Sequence, residues 1–411
     1  MSKVSNHESL MDRIVLVLFC LNYIRFYNLS LYVHLGSSLT FLDTLFNIYF
    51  FLFAMKIMFH SNTCFIEKIV FVLYVIFFNS IIIAMFGGQS FYYGFRGIQQ
   101  VFMPIGVYFY LRYKNFSPRF VLKVLVALSV GYMIVNLLCY LQYPTMWFGN
   151  TLAYGTESDM MDKIENEANK RGVLRFVLPC KVLVTFMIFK LVSKYDFKLE
   201  STIKLGIVFV FLIIMGQRFL IATTLLGVFY LCFFSSIFNQ RNKFFLAFLL
   251  VVFTGLFLIL PITRNIIDSS VEYTSEKEDI RVFSSVYFFT EFNQDNAKAI
   301  VFGNGIPVKG SYADKLSMAH DVGFWEVDVG FCCIYIYFGV IGLIALFAWT
   351  VALALIKVDV KWLYCKVFCI IMVITMITGG AWFENIAFVM FVNYILVANR
   401  LPSLKIVSKQ C

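Results

Sequence analysis

The chain has 411 residues, of which 61% are hydrophobic and only 14% are charged, so it is far more apolar than a soluble protein. This composition excludes a soluble globular enzyme and predicts a single integral membrane domain over residues 1–411. The formal net charge of +10 reflects membrane topology, because Lys and Arg residues favour the inner segments of membrane proteins, and we therefore expect no nucleic-acid partner.

Apolar runs long enough to cross a ~30 Å hydrocarbon core recur along the whole chain. Lys3 and Arg13 precede the first run, and no small-residue cleavage site follows it, which favours an uncleaved first helix over a signal peptide. We predict an all-α polytopic membrane protein with about twelve spans, at approximately 14–34, 38–58, 66–87, 98–113, 120–143, 173–193, 202–217, 219–238, 243–262, 329–356, 362–380 and 384–399.

The distribution of charge predicts the orientation of these spans. With an inside N-terminus, the inside segments carry most of the Lys and Arg residues and few of the acidic ones. Two longer segments then face outward: a smaller outer loop at 144–172 and a large outer loop at 263–328, between helices 9 and 10. Neither loop contains a cysteine, and none of the cysteines is spaced like zinc ligands or a disulfide framework. We expect neither a metal nor a cofactor.

The smaller loop is rich in acidic residues over 157–167. Met160, Met161 and Ile164 recur there with helical spacing, which predicts a short interfacial helix. Arg171 and Arg175 follow at the entry of the next span. They either anchor the end of that span or pair with the preceding acidic stretch.

The large loop contains Arg264 near its beginning and then a run at 280–292 that alternates aromatic and polar residues. This run predicts a helix lying on the membrane surface. A turn follows at Gly303 and Gly305; two glycines are too few to indicate a nucleotide site, and nothing here resembles a P-loop.

Two arginines outside that turn are candidates for anion binding. Arg218 stands between two apolar runs with almost no loop, where a charge is costly unless an anion pairs with it. Snorkelling to the interface is the alternative, but we favour an anion clamp, because Arg218 is the only charge that breaks the two runs. Arg281, in the large loop, is by itself typical of a solvated arginine, and Arg96 is ambiguous.

His320 stands near the end of the large loop and is the only histidine after residue 60. An interfacial histidine that only makes a hydrogen bond is one interpretation. The other is a base, because imidazole titrates near neutral pH and suits proton removal from a hydroxyl. Asp321, Glu326 and Asp328 are close in sequence, but none shares a helical face with His320, so the sequence assigns it no partner.

These elements together resemble the O-antigen ligase and Wzy-type O-antigen polymerase superfamily, whose members share this number of spans and a large outer loop before the last few. The family commonly has His-Asn where this chain has His320-Asp321, so Asp321 departs from the family pattern. The matching stretches are Gln217-Arg218, Arg281 through Phe302-Gly303-Asn304-Gly305, and His320-Asp321 through Phe338-Gly339-Val340-Ile341-Gly342.

The resemblance implies a GT-C-like fold and a metal-independent glycosyltransferase of the bacterial inner membrane, with its active site facing the periplasm. Such enzymes move a glycan from an undecaprenyl-pyrophosphate-linked oligosaccharide to an acceptor hydroxyl. Arg218 and Arg281 match the family's two arginines, which would stabilise the leaving pyrophosphate, and His320 matches its base. Further candidates for substrate binding are Arg96, Arg171, Arg175, Arg264, Gly303, Gly305, Asp321 and Trp325.

Our leading hypothesis is a polymerase of O-antigen or capsular repeat units. Its partners would be membrane lipid, a flippase and a chain-length regulator. The first alternative is an O-antigen ligase, with the same chemistry but lipid A core as acceptor. The alternative from another class is a transporter or flippase of lipid-linked oligosaccharides, which predicts charges along the helix midplanes; Asp43 is the clearest charge of that kind in the sequence.

Overall fold

The computed structural model describes residues 8–30, 36–60, 63–99, 103–145, 147–148, 164–165, 174, 176, 178–215, 217–234, 238–240, 242–244, 248, 280–308 and 311–400, without the side chains of 36–40, 60, 218, 311–312 and 381. Helices dominate the described residues, and these contain no strand beyond one isolated bridge, Val358 to Arg400. The helices are α1 Leu10–Tyr23, α2 Gly36–His60, α3 Phe65–Phe86, α4 Phe91–Gln99, α5 Val107–Tyr113, α6 Pro118–Gln142, α7 Val182–Ser193, α8 Leu199–Ile214, α9 Arg218–Phe233, α10 Ile280–Val286, α11 Ala297–Phe302, α12 Ser311–Asp321, α13 Gly330–Leu355, α14 Leu363–Ile374 and α15 Ile386–Ala398.

Five helical segments of the described chain are long and apolar enough to cross a membrane: Phe41–Phe59, Phe65–Phe86, Pro118–Gln142, Gly330–Leu355 and Val360–Ile377. The protein is therefore a helical, membrane-embedded protein. Large apolar side chains on α2, α3 and α6 are exposed, which suits contact with lipid, whereas α15 is buried from Ile386 to Val397. The bundle therefore packs around α15.

Several of the twelve predicted spans differ from the observed elements. The predicted span at 98–113 is not one helix, because α4 ends at Gln99 and a tight turn, Met103–Gly106, precedes α5. In the predicted span at 173–193 the helix begins only at Val182, after Pro179, whose ring cannot continue a helix from the preceding turn. The predicted span at 243–262 lies almost wholly outside the described residues.

The first predicted span, 14–34, is also shorter than expected. Helix α1 ends at Tyr23, and the chain then makes a left-handed turn over Arg25–Asn28, where every φ is positive. Arg25 pairs there with Asp43 of α2, and the Asn22 amide donates to the same carboxylate over 2.7 Å. The Asp43 charge is therefore neutralised within the bundle, as a buried carboxylate requires.

Ion pairs mark one end of the bundle. The Arg112 guanidinium lies 2.6 Å from the Glu67 carboxylate, and the Lys114 ammonium lies 2.9 Å from that of Asp12. These pairs connect the first residues of α1 and α3 with the last residues of α5. We call this end the ion-paired face, and it corresponds to the predicted inside.

The segment Gly330–Leu355, predicted as one span, folds back on itself. Gly339 has φ 65° and ψ −166°, a backbone conformation confined almost to glycine. Phe331 and Phe347, sixteen positions apart, would be separated by about 24 Å along a straight helix, yet their rings stack with centroids 5.5 Å apart. A half-helix, Gly330–Phe338, therefore reverses at Gly339 and packs against the rest of α13.

The glycine turn at 303–305 completes this reversal. The backbone N–H groups of Asn304 and Gly305 donate to the carbonyl oxygens of Ile336 and Tyr337 over 2.8 and 3.0 Å. These are carbonyls that the break in α13 would otherwise leave without partners, which is costly in a membrane protein. The predicted glycine turn is thus built into the helical reversal.

Replacing Gly339 by Ala should destabilise the protein by about 2 kcal/mol or more, because alanine strongly disfavours this backbone conformation. A Cβ atom would also lie 2.3 Å from the Val301 carbonyl oxygen. Thermal unfolding in detergent measures the effect. Gly206→Ala is the matched control, since no heavy atom lies within 4 Å of a Cβ there and Gly206 is inside α8. An equal melting temperature for Gly339→Ala and wild type would contradict the reversal.

Candidate functional site

His320 is in the last turn of α12, which ends in a glycine-dependent cap. Gly323 has φ +87°, its N–H donates to the His320 carbonyl over 2.9 Å, and the Phe324 N–H donates to the Ala319 carbonyl over 2.9 Å. This pair of bonds is the Schellman arrangement. It turns the chain sharply, so that Glu326 returns to His320.

The Glu326 carboxylate is the partner of His320. One oxygen, Oε2, lies 2.7 Å from His320 Nε2, and the other, Oε1, accepts a hydrogen bond of 2.7 Å from the Tyr337 hydroxyl. Glu326 is buried, with a side chain that is 5% exposed. The sequence assigned no partner to His320 because helical spacing was assumed, and the Gly323 turn breaks that spacing.

Trp325 lies flat on the imidazole. The two ring centroids are 4.0 Å apart and the planes differ by 9°. With Nε2 on Glu326 and one ring face on Trp325, the orientation of the imidazole is fixed from two sides. Trp325 was a candidate for substrate binding, and that role stays a prediction.

The hydrogen bonds indicate which nitrogen of His320 can act as a base. When Glu326 is ionised and the imidazole is neutral, Glu326 can only accept, so Nε2 is the nitrogen that donates to it and Nδ1 keeps a lone pair. No described residue forms a hydrogen bond with Nδ1. A carboxylate that orients a histidine in this way is the arrangement of a general base supported by a third group.

Tyr337 connects this site to the helical reversal. Its hydroxyl donates to Glu326, while its backbone carbonyl accepts from the Gly305 N–H over 3.0 Å. Tyr337 lies in the half-helix two residues before Gly339. The position of Glu326, and through it that of His320, therefore depends on the half-helix and on the glycine turn.

Helix α10, which carries Arg281, packs beside the chain that follows His320. Ile280, at the start of α10, is the residue that a Cβ at Gly323 would meet at 2.9 Å. The Tyr287 ring packs on Phe324 and the Phe289 ring on Tyr335, with centroids 5.4 and 5.2 Å apart. The helix predicted at 280–292 is thus present as α10 and a π-helical turn, Tyr287–Glu291. Arg281 is exposed.

The Tyr287 hydroxyl is a weak acid in this setting. Burial raises its pKa above the ordinary value, and the nearby Glu291 carboxylate raises it further. Tyr287 therefore stays a neutral phenol near neutral pH and does not compete with His320 as a base.

Four other candidates for substrate binding, Gly303, Gly305, Asp321 and Arg96, lie at different places in the structure. Gly303 and Gly305 pack directly against the backbone of neighbouring segments. A Cβ on Gly303 would lie 2.4 Å from Phe338 N, and one on Gly305 would lie 2.6 Å from the Ser80 carbonyl oxygen. This packing explains both glycines without a ligand. Asp321 is exposed beside His320, and Arg96 is exposed on α4, the helix that packs on residues 306–308 after the turn.

Four candidates cannot be placed in the site. Arg171, Arg175 and Arg264 lie outside the described residues. Arg218 begins α9, but its side chain is not described. Its role as an anion clamp stays a prediction.

Sequence reasoning missed Glu326, Tyr337 and Lys315. Lys315, on α12, donates to the Phe292 carbonyl and stands over the Phe292 ring, with its Nζ atom 4.6 Å from the ring centroid. It joins α12 to the chain that follows α10. Gly323 was the sequence signal that could have identified Glu326 as the partner. A glycine there predicts the end of a helix between His320 and Glu326, and so a turn that brings the two residues together.

Comparison of the chain with protein-family models and with curated proteins gave no match.

The geometry predicts the tautomer of His320. At pH 8, nitrogen-15 NMR of the histidine-labelled protein should show the proton of the neutral ring on Nε2, because Glu326 accepts it there. His320→Gln assigns the signal among the four histidines. In Glu326→Gln the preference for Nε2 should weaken, whereas in Asp314→Asn, an exposed change on the same helix, it should not. A wild-type ring protonated on Nδ1 would contradict the assignment of the base.

Proposed function

We propose that the protein is a glycosyltransferase that polymerises O-antigen or capsular repeat units from undecaprenyl-pyrophosphate-linked donors. The observation that carries the proposal is the oriented His320, with Nε2 held by Glu326 and Nδ1 left to receive a proton. The sequence resemblance supports the same reaction, since it pairs this histidine with Arg218 and Arg281. We propose the outer face of the bacterial inner membrane as the place of the reaction.

The residues have distinct tasks in this reaction. Nδ1 of His320 takes the proton of the acceptor hydroxyl, whose oxygen forms the new bond to the anomeric carbon of the donor glycan. The bond from that carbon to the pyrophosphate oxygen breaks, and its electron pair leaves with undecaprenyl pyrophosphate. Arg281 and Arg218 stabilise the negative charge that develops there, since guanidinium groups bind phosphate oxygens in a bidentate manner.

His320→Gln should lower polymerisation by about 10²–10⁴-fold, the usual contribution of a general base. Glu326→Gln should lower it by about 10–100-fold, because the ring keeps its place on Trp325 but loses its carboxylate. Asp314→Asn is the control. The length of the surface polysaccharide ladder on a gel, with membrane expression confirmed, measures all three. A wild-type ladder from His320→Gln would refute the role of His320.

Arg281→Ala should lower polymerisation by about 10²–10³-fold, the cost of removing one group that stabilises developing negative charge. Arg281→Lys should recover part of it, since an ammonium keeps the charge but not the bidentate geometry. Lys298→Ala, an exposed change on α11, is the matched control. If Arg281→Ala and Lys298→Ala behave alike, Arg281 does not act on the leaving group.

An O-antigen ligase would use the same chemistry with lipid A core as acceptor, so the site does not favour one over the other. Deletion of the gene separates them. A single repeat unit on the lipid core indicates a polymerase, whereas unattached lipid-linked polymer indicates a ligase.

Transport of lipid-linked oligosaccharides is the second candidate, and one observation favours it. The Arg25–Asp43 pair and a Lys181–Glu384 pair lie among the helices, where transporters place polar groups. Proteoliposomes with a lipid-linked repeat in the inner leaflet test this candidate. Appearance of the saccharide outside, at equal rates in wild type and His320→Gln, would favour transport over glycosyl transfer.

A further inference from the structure

A cavity of about 260 Å³ opens where three helices end inside the bundle. It lies between the end of α1, the start of α7 and the start of α15. The side chains that give it its chemistry are Tyr23, Asn28, Lys181, Glu384, Asn385 and Phe388. None of these residues belongs to the His320 site.

The cavity is recessed to mid-height of the longest intact span. The Ser129 hydroxyl donates to the Leu183 carbonyl over 3.2 Å, which sets the start of α7 level with Ser129. Tyr27, in the turn after α1, donates to the Leu128 carbonyl over 2.9 Å. Ser129 is near the middle of α6, whose 25 residues rise about 37 Å. The cavity therefore lies about halfway between the ends of α6.

The short central helix accounts for this depth. Helix α15 has 13 residues, about 20 Å of rise, less than the ~30 Å of a hydrocarbon core. Its last residues approach the ion-paired face, where Tyr394 donates to the Phe116 carbonyl just before α6 begins. Its first residues therefore end inside the bundle, and Glu384 lies just ahead of them.

The charges in the cavity are balanced. The Lys181 ammonium lies 3.3 Å from the Glu384 carboxylate, and the two side chains are 24% and 48% exposed. Tyr23 donates to the Glu384 backbone carbonyl over 3.1 Å, which leaves the carboxylate itself to Lys181 and the cavity. A pyrophosphate needs an excess of positive charge, and the described residues that line this cavity provide none.

Balanced donors and acceptors beside aromatic rings suit a sugar. Lysine donates and a carboxylate accepts, as the hydroxyls of a sugar ring require. Tyr23 and Phe388 meet edge to face, with centroids 5.4 Å apart. Phe388 is buried, so the half-buried Tyr23 is the aromatic surface that the cavity presents. The volume is below the ~300–1,000 Å³ of pockets for drug-sized ligands, so it fits a sugar ring rather than an oligosaccharide.

The cavity adjoins the His320 site through the half-helix Gly330–Phe338. Gly330 packs so closely on Gly379, just ahead of Glu384, that a Cβ would lie 2.5 Å from the Gly379 carbonyl oxygen.

We propose that this cavity is a carbohydrate subsite, which binds one uncharged sugar ring of the saccharide through Lys181 and Glu384. The identity of the saccharide rests on the proposed function. The binding itself does not depend on catalysis, so the two claims fail separately.

The test is saturation-transfer NMR on the full-length protein in detergent. The probe is the repeat-unit oligosaccharide released by hydrolysis of the host's own surface polysaccharide. Wild type should bind it, and Glu384→Gln and Lys181→Met should each weaken binding at least about tenfold, the loss expected for one polar contact left unpaired. The double variant Lys198→Met with Asp196→Asn is the matched control, because it removes an exposed pair with the same 3.3 Å separation.

The charge-swapped double variant, Lys181→Glu with Glu384→Lys, keeps an ion pair at this place and should therefore fold. It exchanges the positions of the hydrogen-bond donor and the acceptor. It should melt like wild type and bind the oligosaccharide at least about tenfold more weakly. Wild-type binding by this variant, or no binding by wild type, would overturn the subsite. Binding of inorganic pyrophosphate that Lys181→Met abolishes would overturn it as well, since it would identify an anion site.

His320→Gln separates the two claims. It should bind the oligosaccharide like wild type but fail to extend the polysaccharide. If wild type polymerises without binding the free oligosaccharide, the subsite is refuted and the proposed function stands. If His320→Gln polymerises normally, the proposed function is refuted, and binding in the cavity is judged by its own variants.

Discussion

The contact between the glycine turn and the broken helix α13 is the constraint on which the candidate site depends. Gly303 and Gly339 approach so closely that a Cβ on Gly339 would lie 2.6 Å from Gly303 N. Two backbone hydrogen bonds from the turn then satisfy the carbonyls of Ile336 and Tyr337. Non-helical backbone is tolerated inside a membrane protein where its N–H and C=O groups form hydrogen bonds with other parts of the protein. The reversal thus places the Tyr337 hydroxyl on Glu326, and Glu326 on His320.

This dependence explains how a loop residue acquires a fixed orientation. His320 is on a short helix outside the spans, where side chains are ordinarily mobile. The Schellman cap at Gly323 returns the chain, Trp325 covers one face of the imidazole, and Glu326 holds one nitrogen. A base held in this way loses little entropy when an acceptor hydroxyl approaches. The segment that leads to Glu384 in the recessed cavity packs on the same half-helix, where Gly330 meets Gly379.

The spans with uniform composition could be predicted closely from the sequence. The prediction at 66–87 matches Phe65–Phe86, and that at 120–143 matches Pro118–Gln142. The reversal at Gly339 could not be predicted, because the apolar run continues through it and hydropathy carries no information on direction. For the site, His320 was found from its chemistry, but Glu326 was missed because the Gly323 turn, not helical spacing, joins them. Lys181 and Glu384 are far apart in sequence, and only the tertiary fold brings together the segments just ahead of α7 and α15 in which they lie.

Joining of lipid-linked repeats by the purified protein in detergent tests the central claim most directly, since a micelle has no second compartment for transport. The account predicts longer glycans on undecaprenyl pyrophosphate, with one free undecaprenyl pyrophosphate released for each bond formed. His320→Gln should form neither product at a measurable rate. Failure of the wild-type protein with its authentic substrate, or equal rates for wild type and His320→Gln, would contradict the account.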